Sequence, residues 1–239
     1  MNLLLIRPAD LDADRIFTVT GSRAEHIRTV LRAKPGETVR TGFVNGNCGT
    51  AEILSLEKGR AVLRAGEFHT PPPEPLPLSL AVALPRPQSL KKVLHFAVSS
   101  GIRDLVFFQS VRVEKSYWNS SVLGPDALDA EILEGLEQGV DTIRPDIRFC
   151  RHFREFLEES AERYSGETVK IVAHPGRSAA GFQRNGRHVL LAIGPEGGFV
   201  KSEVEALAAA GFVPMGFGSH ILRVEFAAAY IAGFLMGCR

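Results

Sequence analysis

Val189-Leu190-Leu191-Ala192-Ile193-Gly194-Pro195-Glu196-Gly197-Gly198-Phe199 is the most informative stretch of this chain. Its first five residues are all apolar and read as a buried strand, because a strand covered on both faces needs no polar alternation. The chain then turns through three glycines and a proline before a helix, for which the sequence offers Ser202 as the N-cap. Glycines at a strand's C-terminal end bare the backbone N–H and C=O groups and let a ligand come close. In α/β sheets that end is where ligands bind. A ligand-binding loop is the sharper reading, and a plain strand-to-helix turn is the alternative, since glycine-rich turns alone are a weak signal. No lysine completes a phosphate-binding P-loop, and the spacing of a dinucleotide fingerprint is missing, so a nucleotide phosphate is disfavoured.

One predicted helix and one strand further on comes Phe217-Gly218-Ser219-His220-Ile221-Leu222-Arg223-Val224-Glu225. On both sides of these segments the pattern alternates. Strands are predicted at 78–84, 105–108, 147–150, 169–174, 188–193 and 213–217, and helices at 89–100, 126–138, 153–164, 202–210 and 226–236. Such alternation predicts a mainly parallel sheet covered on both faces. Four prolines within residues 71–75, followed by Pro77, mark a semi-rigid linker over 71–77. Before it the chain reads as short strands at 3–6, 15–19, 38–43, 49–55 and 60–68, with Asn45-Gly46 as a hairpin turn and one helix near 23–32. That predicts a small β-barrel over 1–70, followed by an α/β domain over 78–239.

At 239 residues and a net charge of +1 the chain has room for a substantial core and an ordinary globular composition. The near-neutral total hides a bias. Residues 86–115 carry six Lys/Arg against two Asp/Glu, whereas 126–162 carry eleven acids against four arginines. Arg23, Arg28, Arg32 and Lys34 form a basic cluster near the N-terminus, which suits an anionic partner such as RNA or is merely solvated. No signal pattern opens the chain and no apolar run is long enough to span a bilayer. Cys48, Cys150 and Cys238 are odd in number and far apart, as expected of reduced thiols in a cytoplasmic protein. No metal-ligand spacing is present.

The Ile193–Phe199 loop and the Gly218–Glu225 segment resemble the two signature motifs of the RsmE family, SPOUT-class methyltransferases that act on N3 of a uridine in 16S ribosomal RNA. His26-Ile27-Arg28-Thr29-Val30-Leu31-Arg32, followed by Gly36-Glu37, resembles the family's PUA-like N-terminal barrel, so the likeness runs over essentially the whole chain. It implies a SPOUT domain with a deep C-terminal trefoil knot that holds S-adenosylmethionine, no metal, and a homodimer whose two subunits share one surface for 16S ribosomal RNA or the small ribosomal subunit.

Carried onto this chain, the resemblance assigns cofactor contacts to His174, Gly194, Pro195, Glu196, Gly197, Gly198, Gly218, Ile221 and Leu222. Arg223 is expected to stabilise negative charge on the uracil, because a guanidinium matches a planar oxyanion edge; an ion pair with Glu225 is the alternative. Glu225 and Glu196 are candidate general bases or, equally, holders of loop geometry. Arg23, Arg28, Arg32 and Arg112 are the expected RNA contacts, with a dimer contact also open for Arg112. Trp118 either stacks on a base or anchors a loop, and His95 and His188 read as surface or satisfied core residues. The chain departs from the family pattern at Phe96, Ser99, Asp141, His220, Val224 and Phe226, each removing or reversing a charge or removing a hydroxyl. Those departures keep open a paralogue that methylates another RNA position, or an RNA-binding protein without catalysis.

Overall fold

Along Arg60–Ala65 the residues alternate between exposed or half-buried and buried, with Ala61, Leu63 and Ala65 inward. This is the period-2 signature of a strand with one wet face. The computed structural model describes residues 2–164 and 166–237. In it the chain divides into two units, Met1–Glu74 with Ile132–Arg144, and Pro75–Glu131 with Pro145–Arg239.

The first unit contains β1 (Leu4–Ile6), β2 (Ile16–Thr20), α1 (Gly21–Thr29), β3 (Thr38–Phe43), β4 (Cys48–Glu57) and β5 (Arg60–Ala65). The strands form one sheet in the order β1-β3-β4-β5-β2, in which only β1 and β3 pair in parallel. Asn45, with φ +60°, and Gly46 make the predicted turn between β3 and β4, closed by the Gly46 N–H on the Phe43 carbonyl at 2.8 Å. Phe17, Val19, Ala24, Ile27, Ile53 and Leu63 fill the core between sheet and α1. Segment 132–144 belongs here because buried Glu137 stitches it to β1. The Glu137 carbonyl accepts the N–H groups of Asn2 and Leu3 at 2.8 and 3.0 Å, and its carboxylate accepts the Leu5 N–H at 3.0 Å and Arg23 at 2.7 Å.

The second unit contains β6 (Leu78–Ala83), α2 (Pro87–Ser99), β7 (Asp104–Phe108), β8 (Asp146–Cys150), α4 (Phe153–Arg163), β9 (Val169–Ser178), β10 (Val189–Ile193), α5 (Lys201–Ala209), β11 (Val213–Gly216) and α6 (Val224–Gly237). Helix α3 (Pro125–Gly139) carries the division between the units within it. The six strands run in the order β11-β9-β10-β6-β7-β8, every pair parallel. All residues of β6 and β10 are buried, as strands covered on both faces require, with Ser79 the one polar side chain among them. Phe108 stacks on Phe156 of α4 with ring centroids 4.0 Å apart, and each such buried ring contributes about 1.5–3 kcal/mol through its area.

One expected cap is corrected. Helix α5 is not capped by Ser202; Val200 is its N-cap residue, and Glu203 reaches back to accept the Val200 N–H at 2.9 Å. A carboxylate in the first turn satisfies an orphan donor and complements the helix dipole, which a serine one residue inside the helix does not do.

A polar cluster lies at the N-terminal ends of the strands. The Ser79 hydroxyl donates to Asp104 at 2.5 Å and lies 2.8 Å from His188 Nε2, while Tyr164 and Arg148 also bind Asp104. Burial would lift the Asp104 carboxyl, but Ser79, Tyr164 and Arg148 outweigh it and hold it low. Burial also depresses His188, against the pull of Asp104. His188 is therefore a satisfied histidine, whereas His95 Nε2 is buried without a partner among the described residues. Cys48 and Cys150 are free thiols, burial pushing Cys150 up to about 11; Cys238 lies outside the described residues. Among the described residues no helix is long and apolar enough to cross a membrane, and no group of three or more His, Cys, Asp or Glu is placed to hold a metal ion.

Candidate active site

All six strands of the second unit end at one edge of the sheet. β7 and β8 lie on one side of β6, β10, β9 and β11 on the other, so the strand order reverses between β6 and β10. A crevice opens where such a reversal separates the loops. Ile193 pairs with Val82 and with Ala173, which puts Gly194 beside the end of β6 and, by register, level with His174 in the middle of β9, which continues to Ser178.

The loop after β10 is shaped by its glycines. The Gly198 N–H closes a tight turn on the Pro195 carbonyl at 2.7 Å, and Gly198 has φ +71°, a conformation that residues with a Cβ rarely adopt. A Cβ on Gly194 would lie 3.1 Å from the Phe199 ring, and one on Gly197 would lie 3.0 Å from Arg112 Cδ. Arg112, from the loop after β7, also donates through Nη1 to the Gly197 carbonyl. Glu196 Oε1 accepts the Arg86 N–H at 3.1 Å and lies 3.9 Å from its guanidinium. The Tyr117 hydroxyl joins this group by bonding Arg86 and Glu114. The backbone N–H groups of Glu196 and Gly197 have no partner among the described residues.

The loop after β11 is barer still. Gly218 has φ +109°, and the N–H groups of residues 218–223 find no partner among the described residues. Ile221 is 99% exposed and Leu222 41%. The exposed side chain of Arg223 makes no ion pair or hydrogen bond among the described residues. The alternative of an Arg223–Glu225 pair is thus not realised, for Glu225 is turned inward onto α2. Burial would raise the Glu225 carboxyl, but its own backbone N–H, Ser89 and Lys92 (Nζ at 3.3 Å) hold it below the usual carboxylate range.

The other predicted residues are scattered. Arg23 is engaged by the Leu5 carbonyl and Glu137, and Arg28 forks onto Glu25 at 2.5 and 3.1 Å. Arg32 is exposed with φ +53°. Trp118 donates to Gln109 Oε1 and lies under the Arg151 guanidinium at 5.0 Å, which is the loop-anchoring arrangement. Of the departures from the family pattern, Val224 is core, Asp141 is buried and accepts the N–H groups of Thr142 and Ile143, and Phe226 is 57% exposed. The sequence reading passed over Arg86, Tyr117 and Glu203. Only Glu203 carried a signal, being an acid in the first turn of a helix that follows a glycine-rich loop.

A family model described as RNA methyltransferase domain matches residues 72–236. Ribosomal RNA small subunit methyltransferase E of Treponema pallidum is 27% identical, covering 95% of this chain and 88% of that protein. Ribosomal RNA small subunit methyltransferase E 1 of Borreliella burgdorferi is 23% identical over 95% and 94% of the two chains. The crystal structure of ribosomal RNA small subunit methyltransferase E from Neisseria gonorrhoeae, solved bound to S-adenosyl methionine, superposes with a TM-score of 0.72 at 20% identity. It covers 98% of this chain and 96% of that one, and at such identity the likeness shows the fold.

Proposed function

Because the chain belongs to the RNA methyltransferase domain family, we propose that it is an S-adenosylmethionine-dependent methyltransferase acting on N3 of a uridine in 16S ribosomal RNA. One observation carries this reading: two glycine-bearing loops at one sheet edge, with the N–H groups of Glu196, Gly197 and residues 218–223 left without partners among the described residues. The ring-nitrogen acceptors of an adenine are matched by such donors, and the loop has neither the lysine of a P-loop nor the glycine spacing of a dinucleotide fingerprint that would mark a nucleotide phosphate.

The residues present fit the cofactor. Gly194, Pro195, Glu196, Gly197 and Gly198, with Gly218, Ile221 and Leu222, would hold it through backbone groups and the exposed apolar side chains, with His174 beside them. Bound there, S-adenosylmethionine supplies an activated methyl group. What is left to the chain is to orient the uridine and to neutralise the charge that develops on the uracil O2 and O4 once N3 loses its proton. Arg223 serves that purpose, having no carboxylate of its own to satisfy. Glu225, held ionised by Ser89 and Lys92, fixes the first turn of α6 behind Arg223, and Glu196 fixes the crevice wall through Arg86.

RNA binding is assigned to Arg32 in the first unit, which has no partner among the described residues to release, with Arg23 and Arg28 contributing beyond their ion pairs. Arg112 serves in the second unit. The five-stranded sheet with its one parallel pair supports a PUA-like barrel, and residues 71–77 a linker to the SPOUT domain. The path from β10 past β9 to β11, then back through α6 onto β10 and α2, supports the trefoil knot. A homodimer is supported by one exposed face of α6. Arg223, Phe226, Tyr230, Gly233 and Gly237 recur at spacings of three and four, and all are exposed. Two such helices packed antiparallel about a two-fold axis set Phe226 opposite Gly237 and Tyr230 opposite Gly233, large against small. Ribosomal RNA as substrate makes the cytoplasm the working compartment.

The test is titration calorimetry of the purified protein with S-adenosylmethionine, with Gly197→Arg as control, followed by nucleoside analysis of 16S ribosomal RNA from a deletion strain. Expected are saturable binding that the control abolishes and loss of N3-methyluridine. No binding by the wild-type protein turns the reading to a non-catalytic RNA-binding role; binding with N3-methyluridine retained turns it to another RNA position.

A further inference from the structure

Glu203 is 4% exposed, yet it carries a carboxylate. Both of its oxygens are used. Oε2 accepts the Val200 N–H at 2.9 Å, where the glycine-rich loop ends, and Oε1 accepts the Val111 N–H at 2.8 Å, in the loop after β7. The neighbouring Arg112 reaches the opposite way and donates to the Gly197 carbonyl. The two loops thus hold each other by a pair of contacts pointing in opposite directions, one part-buried and one exposed. The β7 loop itself is stiff. Gln109 Nε2 donates to the carbonyls of Ser110 and Val113 at 2.6 and 3.1 Å, and Trp118 holds Gln109 from the other side.

We infer that Glu203 is a positioning residue and that, with Arg112, it latches the β7 loop onto the glycine-rich loop and so sets the shape in which that loop receives S-adenosylmethionine. The inference rests on the cofactor reading above and goes beyond it, since Glu203 lies outside the glycine-rich loop and touches no proposed ligand atom. An N-cap interaction alone would need one carboxylate oxygen; the second, committed to another loop, is what a cap leaves unexplained. A charge-assisted bond accepted by a buried carboxylate is also among the stronger ones available. The latch accounts for Gly197 as well, because a Cβ there would meet the Arg112 side chain and push the contact open. With the Gly197 carbonyl pinned, the neighbouring N–H groups of Glu196 and Gly197, without partners among the described residues, are left for a ligand.

The experiment is a double-mutant cycle on cofactor affinity. Glu203→Gln, Arg112→Ala and the double variant are titrated calorimetrically with S-adenosylmethionine at 15 °C, where circular dichroism establishes that each is folded. Amide hydrogen exchange of the free proteins is followed at Val111 and Val200. Each single variant is expected to weaken binding about tenfold, and the double variant by clearly less than the product of the two. Exchange at both amides should quicken in Glu203→Gln. Arg112→Ala, a change at an exposed side chain, keeps the test available if Glu203→Gln does not fold. A lowered melting temperature with wild-type affinity makes Glu203 a fold-stabilising residue only and overturns the inference, as does a double variant equal to the product. Wild-type protein that fails to bind S-adenosylmethionine defeats the cofactor reading instead, so the two failures are distinct.

Discussion

An exposed arginine without an ion-pair partner among the described residues is solvated at little cost and stays free to meet an incoming anion. Arg223 stands at the head of α6 with Glu225 two residues away, yet that carboxylate faces Ser89 and Lys92 and not the arginine. The charge is thus available to a reacting base. Replacing Arg223 by alanine should lower single-turnover methyl transfer ~100-fold, the scale of removing one electrostatic donor from a developing oxyanion, while S-adenosylmethionine affinity stays within about twofold. Retained turnover in a quench-flow assay with unmodified small subunits would remove Arg223 from the mechanism. The glycines were legible in the sequence because only missing side chains explain such a string at the end of an apolar run. Glu203 was not, since a surface acid in a first turn and a buried latch look alike until a second loop is folded against it.

Elements followed the sequence more closely than side chains did. Every predicted strand and helix is present within a few residues, because each either alternates or runs apolar for the length of a strand, or repeats at helical spacing. What periodicity could not reveal is which strand ends carry polar networks. Ser79, Asp104 and His188 lie far apart in the chain and meet only because β6, β7 and β10 are sheet neighbours. That meeting has a pH signature. His188 has a folded pKa depressed by burial, so its contribution is present above the unfolded value of about 6.5 and is lost as pH falls through the folded one. Asp104, also depressed, adds a second loss further into the acid. Melting temperature should therefore decline as pH drops below about 6.5, and His188→Gln should flatten that first part of the decline. An unchanged slope between pH 6.5 and 5 in the variant would assign it to other groups.

For the molecule as a whole, the oligomeric state is the decisive open quantity. The stripe of Phe226 and Tyr230 exposes 57% and 54% of two aromatic side chains, a poor surface to leave in water and a good one to bury against glycines. Sedimentation of the wild-type protein should give a dimer at roughly micromolar concentration, and Tyr230→Glu should give a monomer with unchanged circular dichroism, since the new carboxylate would be buried against Gly233 of the other copy with no partner for its charge. A wild-type monomer at that concentration would leave the stripe without a role. The composition of the first unit was hidden from the sequence for a different reason. A linear reading has no means of returning residues 132–144 to a body that the proline-rich stretch has already closed, and it is the bonds of Glu137 to Asn2, Leu3 and Leu5, with those of Thr142 to Asn45 and Gly46, that do so. The strand order carries a further consequence, one of time. β6 is made early, but its neighbour β10 is synthesised only after β7, β8 and β9, and Val82 cannot meet Ile193 before that. The sheet of the second unit therefore cannot close while most of the chain is still being made. Until β10 emerges, a nascent chain leaves one edge of β6 unpaired along a strand whose residues, Ser79 apart, are apolar, an edge suited to a chaperone's attention on the ribosome.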